Sequence, residues 1–295
     1  MFKSISILVL SVFITTFAFA GDTTSLVGAW LMDAATNANE PDQSGLANTL
    51  TDNSGNVPSV TGQIGSAREM NATGEKFTRA DDSDFDFTGD FSVMLWFNVA
   101  DTGNNNRAFI AKSNTSPSNG WGLWKNFDET LRFYIASTVS SGTSTTAISL
   151  STNMHIAAVF SDSGNTVTFY RDGSGTSEAI SNTASPADTT EVLTVGDNAH
   201  AHPDGWFDEI VIFGRAVTGA EIDDIKNNGI AAFIAGTSEA PGIGVSGVFQ
   251  LFCIMWQDFN YYNLVNQHRT KFGIERPLWM QFMSNIGLFK NKVHK

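Results

Sequence analysis

The chain has 295 residues and a net charge of -13, unevenly placed: residues 21–240 hold 10 Lys and Arg against 28 Asp and Glu, and residues 241–295 hold 6 against 2. An acidic body of this kind repels phosphate backbones and anionic membrane surfaces, which argues against nucleic-acid binding. Cys253 is the single cysteine, so an internal disulfide and a thiolate zinc cluster are excluded, and stability falls to the core or a bound cation.

Met1 to Ala20 gives Lys3, an apolar run and Ala18-Phe19-Ala20. This is the pattern of a signal peptide cut after Ala20, and it predicts a secreted, cell-surface or periplasmic protein. Leu26 to Met32 reads as a first strand carrying Trp30 and leading into Asp33. A polar, turn-rich loop follows, containing Asp42-Gln43-Ser44-Gly45 and Asn48. In Phe91 to Asn98 apolar residues occupy both alternating faces, as in a central strand of a sandwich. Arg107 to Lys112, Gly120 to Lys125 and Leu131 to Ala136 are short runs between turn clusters, the spacing of antiparallel β structure. Met154 to Phe160 and Val167 to Gly173 flank Ser163-Gly164-Asn165 and predict a hairpin. Asp172-Gly173 supplies a turn in which glycine tolerates positive φ.

Glu191 to Gly196 is the penultimate strand, Asp197 to Asp204 a loop, and Asp208 to Phe213 the last strand. By the two-residue period Asp208 shares a face with Ile210 and Ile212, and an acid pointing coreward needs a partner. Thr218-x-x-Glu221 is a capping box, Val217 and Ile222 fit a hydrophobic staple, and Gly229 supplies a left-handed cap that ends the helix. The length of the acidic part suits one large β domain.

Strand, Asp208-Glu209, Arg215 and capped helix, in this order, resemble the closing segment of laminin G-like, concanavalin A-like jelly-roll domains. The resemblance extends to Trp30, Asp33, Asp42, Ser44-Gly45 and Asn48 at the opening, to Phe85-Asp86-Phe87, and to the hairpin around His155 and Tyr170-x-Asp172-Gly173; it covers about residues 26–231. Gly62 to Met70 and Glu75 to Ala80 then correspond to the second and third strands, while Thr49-Leu50-Thr51 departs from the family's glycine at that turn. The resemblance implies an all-β fold, a two-sheet antiparallel jelly-roll sandwich with one short C-terminal helix packed beside it. The domains expected are a signal peptide (1–20), a laminin G-like sandwich (21–236) and a tail (237–295). The tail's apolar stretch, Gly242 to Trp256, is shorter than the ~20 residues that span a bilayer. A weak or tilted anchor, a sorting segment, a packed extension and no role at all remain open for it, so membrane association would come only through the tail.

Calcium takes six to eight oxygen ligands. The resemblance implies a structural Ca2+, for which Asp33, Asp42, Asn48 and Asp208 are the candidate ligands. The alternative is that Asp42 and Asn48 only organise turns and Asp208 accepts backbone hydrogen bonds. Trp121, Trp124 and Trp206, with His200 and His202, are candidates for a ligand face, since aromatic rings present an apolar platform to sugar C–H faces. Hydrolysis would need paired carboxylates on one strand face; no Glu-x-Asp-x-Glu run or Gly-x-Ser-x-Gly elbow occurs, and strict alternation puts Asp208 and Glu209 on opposite faces. The expected function is therefore not enzymatic: an exported module that binds a glycan or an extracellular protein, with a glycan-cleaving enzyme and a purely structural adhesion module as alternatives.

Overall fold

The computed structural model describes residues 21–100, 106–113, 119–135, 141–181, 187–196 and 202–236. The chain divides into units at 1–241 and 242–295; the leader 1–20, His200 and the tail 237–295 lie outside the described residues.

The strands in chain order are β1 (Leu26–Trp30), β2 (Thr51–Asp52), β3 (Ser59–Thr61), β4 (Ser66–Met70), β5 (Lys76–Arg79), β6 (Phe91–Val99), β7 (Arg107–Lys112) and β8 (Trp121–Lys125). They continue as β9 (Thr130–Ile135), β10 (Ser141–Ala147), β11 (Met154–Ser161), β12 (Thr166–Arg171), β13 (Ser177–Ser181), β14 (Leu193–Gly196) and β15 (Gly205–Phe213), before helix α1 (Gly219–Ala235). An eight-stranded sheet has the order β13-β12-β11-β6-β15-β4-β3, with β1 also paired to β15; the other sheet has seven strands in the order β10-β9-β8-β7-β14-β5-β2. All pairings are antiparallel. The fold is the expected two-sheet jelly roll.

β6 shows why. Phe91, Val93, Leu95 and Phe97 enter the core between the sheets, and Met94 joins a second apolar cluster on the sheet's outer face. Such two-sided apolarity suits a strand paired on both edges, here by β11 and β15. Phe91 stacks on Phe87 at 4.4 Å and packs against Trp121, Phe133 and Phe160 with centroids 5.4–5.6 Å away. Truncating it to alanine would cost about 3–5 kcal/mol through lost burial and the cavity left behind.

The outer cluster is closed by α1, whose Ile222, Ile225, Ile230 and Phe233 cover Met94, Ala157, Val159, Val211 and Phe213. The capping box forms as the sequence predicts: Glu221 N donates to Thr218 Oγ1 at 3.3 Å and Thr218 N to Glu221 Oε2 at 2.7 Å. Val217 and Ile222 are both buried in the same cluster. Gly229, however, does not end the helix. It makes a kink (φ 82°, ψ 165°), helical structure resumes to Ala235, and the left-handed cap is Gly236 (φ 63°, ψ 31°). The physical reason lies in β15: Ile230 N, freed by the kink, donates to the buried Glu209 carboxylate at 2.5 Å.

β10 and β13 were not legible in the sequence. β10 is made of Ser, Thr, Gly and Ala, and β13 (Ser-Glu-Ala-Ile-Ser) has one large apolar residue; both stand at the outer edges of the two sheets, where a continuous apolar face is not demanded. The short strands β2 and β3 fall within and just beyond the stretch predicted as loop.

Candidate functional site

β15 is flanked on one edge by β6 along its length. On the other edge β4 pairs with Gly205 to Phe207 and β1 takes over at Ile210. The handover falls on Asp208 and Glu209, where the β15–β6 register slips in a bulge and Glu209 adopts φ 50°. This overturns two expectations from strict alternation. Asp208 does not share a face with Ile210 and Ile212, which enter the inter-sheet core. Asp208 and Glu209 do not diverge either: the extra residue in the bulge turns both toward the outer side, where each meets a backbone donor.

Asp208 Oδ2 accepts Gln63 N at 2.8 Å and Ile64 N at 2.9 Å from the turn between β3 and β4. Asp33, just beyond β1, accepts Ser66 N at 2.6 Å from the same turn. The carboxylates crowd its backbone: a Cβ on Gly62 would lie 2.6 Å from Asp208 Oδ2, and one on Gly65 would lie 2.5 Å from Asp33 Oδ1. Asp208 is 0% exposed and its Oδ1 makes no hydrogen bond to the protein. Burial is the main cause that raises its pKa to about 7, with Asp33 adding to it. Burial likewise raises Glu209 to about 8, reinforced by Asp208 and Asp33. Asp33 itself is exposed, so the cluster opens to solvent on that side.

The other two candidate ligands are elsewhere. Asp42 Oδ1 accepts Ala29 N and Ser44 N at 3.0 and 2.9 Å, and Oδ2 accepts Ser44 Oγ and Asn48 N at 2.6 and 2.9 Å. The Asn48 amide donates to Val27 O at 2.9 Å and Asp84 at 2.8 Å and accepts from Arg79 at 3.1 Å. Their lone pairs and protons are spent on tying the opening loop to β1, so the four-residue set reduces to Asp33 and Asp208. Among the described residues no three His, Cys, Asp or Glu side chains are arranged to hold a metal. The donor chemistry at Asp33 and Asp208 still fits a hard cation, because it is all oxygen and includes one buried, unpartnered carboxylate oxygen.

Of the proposed ligand face, Trp121 and Trp124 are corrections. They are 2% and 1% exposed: Trp121 packs among Phe87 and Phe91 and donates Nε1 to Phe85 O at 3.0 Å, and Trp124 packs with Ala108, Ala111 and Tyr134. Both rings serve packing, as large aromatics in short strands commonly do. Trp206 is half-buried on β15, opposite Asn98 of β6 and Glu69 of β4, and lies two residues from Asp208 on the sheet's outer face. Asn98 Nδ2 donates to Asn153 Oδ1 at 2.7 Å, and Asn153 Nδ2 to Gln63 Oε1 at 2.9 Å. A chain of hydrogen-bonded amides therefore runs from the cross-strand neighbour of Trp206 to the turn that Asp208 holds. His202 is half-buried before β15, with its carbonyl accepting from Arg107 and its Nδ1 making no hydrogen bond. Glu69, Asn98, Asn153 and Gln63 carry no signal in the sequence; Glu209 stands out there only as the neighbour that alternation sends to the face opposite Asp208, and the bulge that unites the two leaves no mark in composition.

Fold and site together define a β-sandwich of the jelly-roll class. The chain belongs to the concanavalin A-like lectin/glucanases superfamily, whose laminin G-type model matches residues 71–223. No curated protein matches it. Among solved structures it is similar to the binding domain of Paraclostridial Mosquitocidal Protein 1, with a TM-score of 0.55 and 16% identity, covering 69% of this chain and 52% of that one. It is also similar to the binding domain of Botulinum Neurotoxin DC in complex with SialylT, with a TM-score of 0.52, 12% identity and coverages of 70% and 52%. Trypanosoma rangeli sialidase in complex with sialic acid gives a TM-score of 0.50, 13% identity and coverages of 68% and 32%. The match thus spans about half of each toxin binding domain and a third of the sialidase, and at these identities it shows the fold alone.

Proposed function

We propose that this protein is an exported recognition module that binds glycans on the outer face of its eight-stranded sheet, with Trp206 as the platform. The observation that carries this reading is the half-buried Trp206 beside its cross-strand neighbour Asn98, whose amide is linked through Asn153 to Gln63. An apolar ring face beside oriented amides is the arrangement that sugar C–H faces and hydroxyls require. Glu69, directly opposite Trp206, adds an acceptor. Two of the similar structures carry sialyl compounds, so sialylated glycans belong in the first panel tested; a protein partner docking on the same face is the other occupant of this class.

In this reading a calcium ion binds at Asp33 and Asp208, completed by carbonyl and water oxygens. Bound there, it would supply positive charge to two adjacent carboxylates and fix the turn that presents Gln63. Asp208 and Glu209 are 0% and 2% exposed, and Glu209 is engaged by the backbone of α1. A carboxylate pair so enclosed offers no groove for a glycosidic bond, so binding is favoured over cleavage.

A glycan array probed with the exported protein, in calcium and in chelator, tests the proposal. Retention of a defined glycan set that weakens in chelator is expected. Absence of any retained glycan in calcium would overturn the glycan reading.

A further inference from the structure

The first described residue, Gly21, sits against the end of α1. Its N donates to Phe233 O at 3.0 Å, one of the last four helix carbonyls, which no residue within the helix satisfies and which also accepts the cap residue Gly236 N at 3.3 Å. A Cβ on Gly21 would meet the Phe233 ring at 2.4–2.5 Å, so any larger residue there would have to displace that buried ring. The residues that follow are held just as firmly. Arg215 donates to Asp22 O at 2.6 Å and Thr24 O at 2.9 Å, and Gly214 N donates to Ser25 O at 2.8 Å. The helix's last turn has no basic side chain, although its carbonyl end carries the negative pole of the macrodipole.

We propose that cleavage between Ala20 and Gly21 supplies the charge that the last turn lacks: the new α-ammonium of Gly21 becomes the cation at the C-terminal end of α1, beside the Gly236 cap, and export processing is thereby coupled to the stability of the mature fold. A signal peptidase hydrolyses the Ala20–Gly21 peptide bond with one water. Ala20 leaves as a carboxylate with residues 1–20, and the Gly21 amine takes up a proton. Before the cut Gly21 N is a neutral amide with one hydrogen to donate; afterwards it carries a full charge and three. Around it are the helix-end carbonyl dipoles, the carboxylate of the adjacent Asp22, and the Arg215 guanidinium, a like charge that holds Asp22 O and, at 3.5 Å, the Asp22 carboxylate.

The sign of the effect follows. A cation gaining a partner has its pKa raised on folding, so the stabilisation is full below the unfolded α-amino value of about 8 and is lost as pH rises through the folded value. The test compares the exported protein with a version carrying one serine inserted between Ala20 and Gly21, which after cleavage displaces the ammonium by a residue. N-terminal sequencing should find Gly21 first in the former and the serine first in the latter. At pH 7 the native form should melt about 2–4 °C higher, and the gap should close between pH 8 and pH 10. A native amino terminus at any other residue, or a gap that is absent or independent of pH over that range, would overturn the proposal.

Discussion

His155 makes the fold acid-sensitive by an amount the structure specifies. It lies on β11 opposite Trp96, is 0% exposed, and neither ring nitrogen has a hydrogen-bond partner. Trp96 meets it edge-on at 5.4 Å, and the groups facing it from α1 are Lys226 and Asp223. Burial, with Lys226 adding to it, lowers its pKa from 6.5 to about 3, and Asp223 opposes this only in part. The unfolded chain therefore binds a proton near pH 6.5 that the folded chain refuses until about pH 3. The stability His155 contributes is complete above pH 6.5 and is lost progressively as pH falls toward 3. The slope is about 1.4 kcal/mol per pH unit, and the whole window is worth on the order of 5 kcal/mol, a large fraction of the 5–15 kcal/mol typical of a domain. Urea unfolding at several pH values between 7 and 4 should show that slope in excess of the slope for His155→Phe, which keeps a ring against Trp96 but cannot titrate. Parallel pH profiles for the two proteins would refute the argument.

Asp208 slopes the other way: its pKa is raised on folding, so its ionisation costs stability as pH climbs from about 4 through 7. In chelator at pH 8, Asp208→Asn should therefore raise the melting temperature by several degrees and abolish the increment that calcium gives the parent protein; a lower melting temperature would contradict this. Arg68 is buried and donates to Glu40 at 2.8 Å and to the carbonyls of Ala34, Ala35, Ala38 and Val57. Arg68→Met should destabilise by about 3–5 kcal/mol in denaturant titration, because Glu40 is left buried without its partner. Gly229→Ala should cost at least about 1 kcal/mol, since the position holds φ 82° and a Cβ would come within 3.3 Å of Glu209 Oε2 and Ile64; a neutral result would mean the kink relaxes.

Much of this fold is legible in the amino-acid sequence. β6 announced itself by apolar residues on both faces, the β11–β12 hairpin by its turn, and the start of α1 by Thr218 and Glu221. Periodicity assumes an unbroken strand, whereas β15 passes from β4 to β1 at a bulge, and that one extra residue decides where Asp208 and Glu209 point. Residue type likewise could not separate Trp206 from Trp121, because the same side chain serves a core and a surface and only the neighbours decide. For Asp42 and Asn48, the polar oxygens that suit a metal are the same atoms that suit a turn, and backbone donors took them.

The most direct test of the proposed glycan face is calorimetric titration of the best-retained glycan into the parent protein and into Trp206→Ala, in calcium, alongside their thermal melts. Loss of at least about tenfold in affinity with a nearly unchanged melting temperature is the expected result. Equal affinity in the two proteins would contradict it and move the binding site away from this face.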